Sequence, residues 1–255
     1  MGSFIRRHRP AIAATALGAV AVAFAIGVMP YAYTGDPSSM ESRDGVLVVR
    51  ARDYLAFGPE AGSRATGLIF YGAARSPPES YAYLGRACAL SGYSVYIPRF
   101  PLNLPFLAPR AAARIAAGQP AVGRWVLGGH GTGGAAAVSY LAANPGAAKA
   151  LLLLAAKPRA DASAWPGTVV SVVGSEGEAS RAARSGAAAA LLPPSTRFIQ
   201  IDGADAWQFG EIGQEEGDGA ASLDGPAQRK AAADEALSLL ALVDAEARIG
   251  GNEER

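Results

Sequence analysis

From residue 46 onward, short runs of β-branched and aromatic residues alternate with alanine-rich stretches, and glycine, proline or polar clusters mark the boundaries. Strands are expected at 46–50 and 54–57 (an antiparallel opening pair), 67–71, 93–98, 149–156, 168–174 and 196–202. Helices are expected at 79–91, 104–117, 179–192 and 227–247, the last opened by S-L-D-G-P from Ser222. The runs K-A-L-L-L-L-A-A from Lys149 and T-V-V-S-V-V-G from Thr168 are apolar throughout rather than alternating, as in strands covered on both faces. Regular strand–helix alternation predicts an α/β fold, a mostly parallel, doubly wound sheet with helices on both faces. No long insertion interrupts it, so no large separate lid domain is expected.

One stretch organises the rest. R-W-V-L-G-G-H-G-T-G-G, from Arg124 to Gly134, is an apolar strand that runs into glycines, turns, and restarts as a helix over 135–143, before Asn144, Pro145 and Gly146. Strand, tight turn and helix make the frame of a nucleophile elbow, G-x-S-x-G, here Gly129-His130-Gly131-Thr132-Gly133 with glycine at the serine position. A glycine at such an apex also enters a backbone region that costs other residues about 1–3 kcal/mol.

Polarity divides the chain further. Residues 11–28 carry no charge and as a helix would span roughly 27 Å, close to a bilayer's hydrocarbon core. Arg6, Arg7, His8 and Arg9 precede them and no basic residue directly follows, so the expectation is a single-pass membrane helix with the globular part outside the cytoplasm. Secretion after signal cleavage is the alternative. The division expected is 1–33 for basic cluster and anchor, 34–45 for a polar linker, 46–250 for the domain and 251–255 for a charged tail.

With 23 basic and 22 acidic residues among 255, nothing in the charge invites nucleic acid. Cys88, the single cysteine, excludes an internal disulfide framework and reads as a small buried hydrophobe. Besides His8 there is one histidine, His130; no cofactor is indicated, and no metal site. His130 reads as packed and hydrogen-bonded, Thr132 as a cap of its helix, and Glu176, Glu178 and Asp205 as solvated turn charges.

Several ordered segments together resemble the α/β-hydrolase superfamily, in particular a group of compact bacterial members. Phe70-Tyr71-Gly72-Ala73 resembles the segment that supplies half of the oxyanion hole. Ser80-Tyr81-Ala82-Tyr83-Leu84 and Leu90-Ser91-Gly92-Tyr93 resemble the first helix and the next strand. R-F-P-L-N-L from Arg99 resembles a proline-leucine-asparagine segment of the group, and residues 124–134 resemble its elbow. I-D-G-A-D-A-W-Q-F-G from Ile201 and G-Q-E-E-G-D-G from Gly213 resemble the loop that carries the family's histidine and the segment after it. The resemblance implies the α/β-hydrolase fold, and it places Gly131, Gly177 and Ala206 where the family has serine, acid and histidine. The backbone N–H groups of Thr132 and of Gly72 or Ala73 would remain as oxyanion donors.

The leading expectation is therefore a membrane-anchored protein without catalysis that binds a small molecule, an acyl ligand or a partner in a residual pocket of Gly72, Ala73, His130, Gly131, Thr132, Glu176 and Asp205. An active ester or acyl hydrolase using Thr132 with Glu176 or Asp205 is the alternative. A third reading takes Gly129–Gly134 as a G-x-G-x-x-G nucleotide loop. Its strand comes late, and Leu154, Ala155 and Ala156 stand where an acid for the ribose belongs.

Overall fold

In the computed structural model, which describes residues 27, 29–213 and 221–253, the sheet has eight strands. They are β1 (Val46–Arg50), β2 (Tyr54–Pro59), β3 (Thr66–Tyr71), β4 (Ser94–Pro98), β5 (Arg124–His130), β6 (Ala150–Leu154), β7 (Thr168–Gly174) and β8 (Arg197–Ile201). Their order across the sheet is β1-β2-β4-β3-β5-β6-β7-β8. β1 and β2 form the expected antiparallel pair, β2 is antiparallel to β4, and the remaining neighbours are parallel.

Period-two side-chain alternation explains the apolar strand sequences. Leu68, Phe70, Val126, Leu152 and Leu154 point to one face, and Ile69, Tyr71, Leu127, Leu151 and Leu153 to the other. The first face is covered by α1 (Ala82–Leu90) and the long closing helix α6 (Gly225–Glu253). The second is covered by α2 (Ala111–Ala117) and α3 (Gly131–Ala143). Cys88 lies on α1 within the first core, and burial pushes its thiol up to about 12. Far along α6, Asp244 accepts from the Thr66 hydroxyl and pairs with Arg64 at 3.2 Å and Arg124 at 3.7 Å, which ties the helix to the starts of β3 and β5.

Several boundaries differ from the sequence expectation. The helix expected over 104–117 is a 3₁₀ turn, Pro105–Leu107, followed by α2, and a further 3₁₀ turn, Pro101–Asn103, precedes it. Pro105 and Pro109 break the i→i−4 ladder there. The helix expected over 79–91 opens as a 3₁₀ turn, Pro78–Tyr81, before α1. The helix expected over 179–192 divides into α4 (Glu178–Ala183) and α5 (Gly186–Ala189), because the Ser185 hydroxyl caps a new start on the Ala188 N–H. The tail expected from 251 continues α6 as far as Glu253. Among the described residues no helix is long and apolar enough to cross a membrane. The segment 11–28, residue 27 apart, and the Gly-rich stretch 214–219 lie outside the described residues.

Candidate functional site

The central strand β5 delivers the candidate site. It hydrogen-bonds β3 on one side and β6 on the other, so its C-terminal end opens at the middle of the sheet edge. The chain then leaves extended backbone at His130 (φ −104°, ψ 136°) and enters α3 through Gly131 at φ 51°. That left-handed value is the conformation a sharp strand–helix elbow needs and a Cβ resists. Among the described residues only the Ala73 Cβ, at 3.6 Å, would approach a side-chain carbon added to Gly131. The apex is open.

The glycines around it serve contact rather than turning. A Cβ on Gly129 would come within 2.6 Å of the Gly134 N, and one on Gly133 would overlap the carbonyl oxygens of Gly72 and Tyr71. The bare backbone lets α3 lie directly on β3 and β5. Its first-turn N–H groups receive no side-chain cap from His130. They lack intrahelical acceptors and carry the positive end of the helix dipole to the mouth.

His130 is buried beneath this turn, and both ring nitrogens are engaged. Nε2 lies 2.7 Å from the Ala206 carbonyl oxygen and Nδ1 2.9 Å from the Tyr81 hydroxyl, which accepts the Ala73 N–H at 2.9 Å. A carbonyl only accepts, so Nε2 carries the proton, Nδ1 accepts, and Tyr81 donates to it. Burial lowers the imidazole to about 4. His130 is a fixed neutral strut and not a proton acceptor for the mouth. The same network engages the Ala73 N–H, one of the two oxyanion donors the sequence offered beside Thr132.

Linkage gives this burial a measurable sign. Below the ordinary value of about 6.5 the unfolded chain binds a proton that the folded chain refuses until about 4. The His130 contribution is complete above pH 6.5 and declines as pH falls to 4, by about 3 kcal/mol at most. Urea unfolding at pH 7 and pH 4.5 is expected to show a smaller difference for His130→Gln than for the wild-type chain. An unchanged difference would exclude His130 as the source.

Thr132 is exposed on the first turn of α3. Its hydroxyl accepts the Ala74 N–H at 2.6 Å, a bond to the loop after β3 and not the helix cap expected from the sequence. Asp205, expected as a solvated charge, is fully buried. Its Oδ1 accepts the Gln208 N–H at 2.8 Å, and its peptide is clamped by Gln228, whose amide bonds the Asp205 N–H at 3.2 Å and carbonyl at 2.7 Å. Glu176 stays exposed after β7, with Oε1 accepting the Ser175 hydroxyl at 3.2 Å. Gly177 stands at φ 79°, ψ 158°, a region open to glycine alone. Gly131, Ala73, Thr132 and Ala206 are thus brought together around His130, whereas the Glu176 carboxylate bonds Ser175 and Asp205 is held by Gln208 and by Gln228 of α6.

Two residues that hold the site carried no role in the sequence reading. Tyr81 sits in a segment otherwise read as helix, and Gln228 is one amide in a polar helix start beside Arg229 and Lys230, so nothing local marks either. The segment entering the domain also reaches the mouth. The Tyr31 ring stands edge-on to Trp207 at 5.4 Å, and the Arg75 guanidinium covers the Tyr31 ring at 4.3 Å. Beside the mouth an open groove of about 790 Å³ runs along α3 between Tyr71, Phe106, Arg110, Ser139 and Tyr140. Among the described residues no set of His, Cys, Asp or Glu side chains converges to hold a metal ion.

The model of the alpha/beta hydrolase family matches residues 67–230, from β3 into α6, and so includes the whole of this site. The chain belongs to the alpha/beta hydrolase family. No curated protein matches the sequence. Solved structures share the fold at low identity. An esterase from Pyrobaculum calidifontis is 14% identical, with a TM-score of 0.57 over 80% of this chain and 87% of its own. Carboxyl esterase 2 from Tuber melanosporum is 11% identical, with a TM-score of 0.55 over 82% and 91%. A hormone-sensitive lipase from a metagenome library is 13% identical, with a TM-score of 0.55 over 81% and 88%.

These findings correct the leading functional expectation. The matched family is one of hydrolases, and the neighbours named above are esterases and a lipase. The reading of an alpha/beta hydrolase fold without catalysis gives way to its alternative, a hydrolase that works through substitute residues. The nucleotide reading gains nothing, since Gly129–Gly134 is the elbow of this fold and the residues about twenty further on, Leu154 to Ala156, are buried and apolar.

Proposed function

We propose that this chain is an ester or acyl hydrolase that acts through the elbow without a serine at its apex. Aligned with the family's pattern, the nucleophile, acid and base positions hold Gly131, Gly177 and Ala206, so the chemistry falls to Thr132. The observation that carries this reading is the Thr132 hydroxyl, exposed beside the open apex on a helix N-terminus, with its oxygen accepting the Ala74 N–H at 2.6 Å. That bond draws electron density from the oxygen and eases loss of its proton. In the proposed reaction Oγ1 attacks the ester carbonyl carbon and its proton passes to solvent water at the exposed first turn of α3. The first-turn N–H groups of α3 face the developing oxyanion. Collapse expels the alkoxide, which takes up a proton, and water then cleaves the acyl-threonine.

Without a histidine base, the enhancement rests on oxyanion stabilisation and binding, a contribution of about 10³–10⁴ over water. Hydrolysis of p-nitrophenyl butyrate is expected at that level. Thr132→Val is expected to lower it by about 10²-fold, and Thr132→Ser to retain it. Equal rates for wild type and Thr132→Val in folded protein would refute the assignment.

A further inference from the structure

The loop after β4 presents an apolar surface at the mouth. Leu102 is 53% exposed, Phe106 63% and Leu107 46%, and Met29, at the start of the continuously described chain, is 62% exposed. Leu102 and Asn103 both adopt left-handed backbone, at φ 53° and 52°. Two successive non-glycine residues in that region are costly. The turn nonetheless holds Leu102 out in solvent rather than folding it inward.

The patch is joined to the N-terminal segment without slack. The Met29 carbonyl accepts the Arg75 Nε–H at 2.7 Å, and the Arg75 carbonyl accepts the Tyr31 N–H at 2.8 Å. The Arg75 N–H in turn bonds the Asn103 carbonyl at 2.8 Å. Residue 75 therefore links residues 29 and 31 to the apolar turn. In sequence, Met29 directly follows the uncharged residues 11–28. A chain leaving a bilayer at residue 28 has no free linker before it is fastened to this loop. The expected linker, 34–45, comes after the fastening and cannot supply a spacer.

We infer that the Leu102–Phe106–Leu107 surface rests in the headgroup region of a phospholipid bilayer, so that the mouth of the site faces the membrane. Among the described residues apolar side chains are also exposed elsewhere, Leu47 and Val49 on β1, Leu90 and Leu242 included, whereas this group is tied through Arg75 to Met29, which follows the uncharged stretch. Exposed Arg110, on the same loop, suits an anionic headgroup. Surfaces of this type settle roughly 5–10 Å into the headgroup and acyl boundary. The inference concerns position and stands whether or not Thr132 is the nucleophile. With a hydrolytic site, it favours substrates that partition into lipid.

The test uses the full chain reconstituted in vesicles of phosphatidylcholine and phosphatidylglycerol. An environment-sensitive fluorophore is attached through Phe106→Cys or, as control, through Leu242→Cys. Leu242 lies two residues from Asp244, at the opposite edge of the sheet, and native Cys88 is buried beyond reach of the label. Brominated lipids are expected to quench the label at position 106 several-fold more than the label at 242, with a blue shift at 106 alone. Equal quenching at both positions, or none at 106, overturns the inference. A blue shift at 106 without lipid quenching also overturns it, because another protein molecule then covers the patch. So does loss of the chain from the vesicles on flotation.

Discussion

Gly131→Ser combined with Ala206→His is expected to raise ester hydrolysis by about 10²–10⁴-fold over the unmodified chain, the usual contribution of a positioned general base. The apex admits the new hydroxyl, since among the described residues its first carbon meets the Ala73 Cβ alone, at 3.6 Å. Ala206 lies beside the elbow already, its carbonyl held by His130 Nε2 at 2.7 Å. Neither single variant is expected to gain, because a serine without a base is a poor nucleophile and an imidazole without a hydroxyl has nothing to deprotonate. Adding Gly177→Asp is expected to cost about 1–3 kcal/mol of stability, since φ 79°, ψ 158° suits glycine alone. Turnover of p-nitrophenyl butyrate and fluorophosphonate labelling at position 131 check the result. An unlabelled, inactive but folded double variant would show that position 206 does not reach the apex.

The second large effect concerns the fold. Gly133→Ala is expected to destabilise the protein by more than about 4 kcal/mol, beyond what most single substitutions do. Its methyl would overlap two backbone oxygens, those of Gly72 and Tyr71, and neither yields like the end of a flexible side chain. To accommodate it, α3 would have to lift off β3 and the elbow with it. Gly131→Ala is the control. Its methyl makes an ordinary contact with the Ala73 Cβ at 3.6 Å, so it bears the left-handed backbone cost of about 1–2 kcal/mol. Guanidinium unfolding of the two variants separates them, and equal midpoints would mean that α3 is not held by backbone contact.

The elbow was legible because its signal is local: an apolar run, glycines and an alanine-rich helix in one stretch of eleven residues, 124–134, and those that follow. The helix expected over 104–117 was not, because helix-forming composition masked Pro105 and Pro109, whose effect is to remove donors from the ladder. Thr132 looked like a cap by position, yet its hydroxyl turns to the Ala74 N–H of a loop 58 residues away. Asp205 looked like a turn charge, yet Gln228 clamps its peptide in the interior from 23 residues further on.

By its own pattern of apolar runs and breaks, the chain determines an α/β sheet with an elbow at its centre and glycine at the apex, since period, turn chemistry and the absence of a side chain are properties of neighbouring residues. Only the tertiary structure decides the state of His130, because Tyr81 and Ala206 meet its two nitrogens from 49 and 76 residues away and burial lowers it to about 4. It also decides that Arg75 fastens the entering segment to the apolar turn at the mouth, for that contact joins residues 29 and 103 through one side chain and one peptide that no local pattern connects.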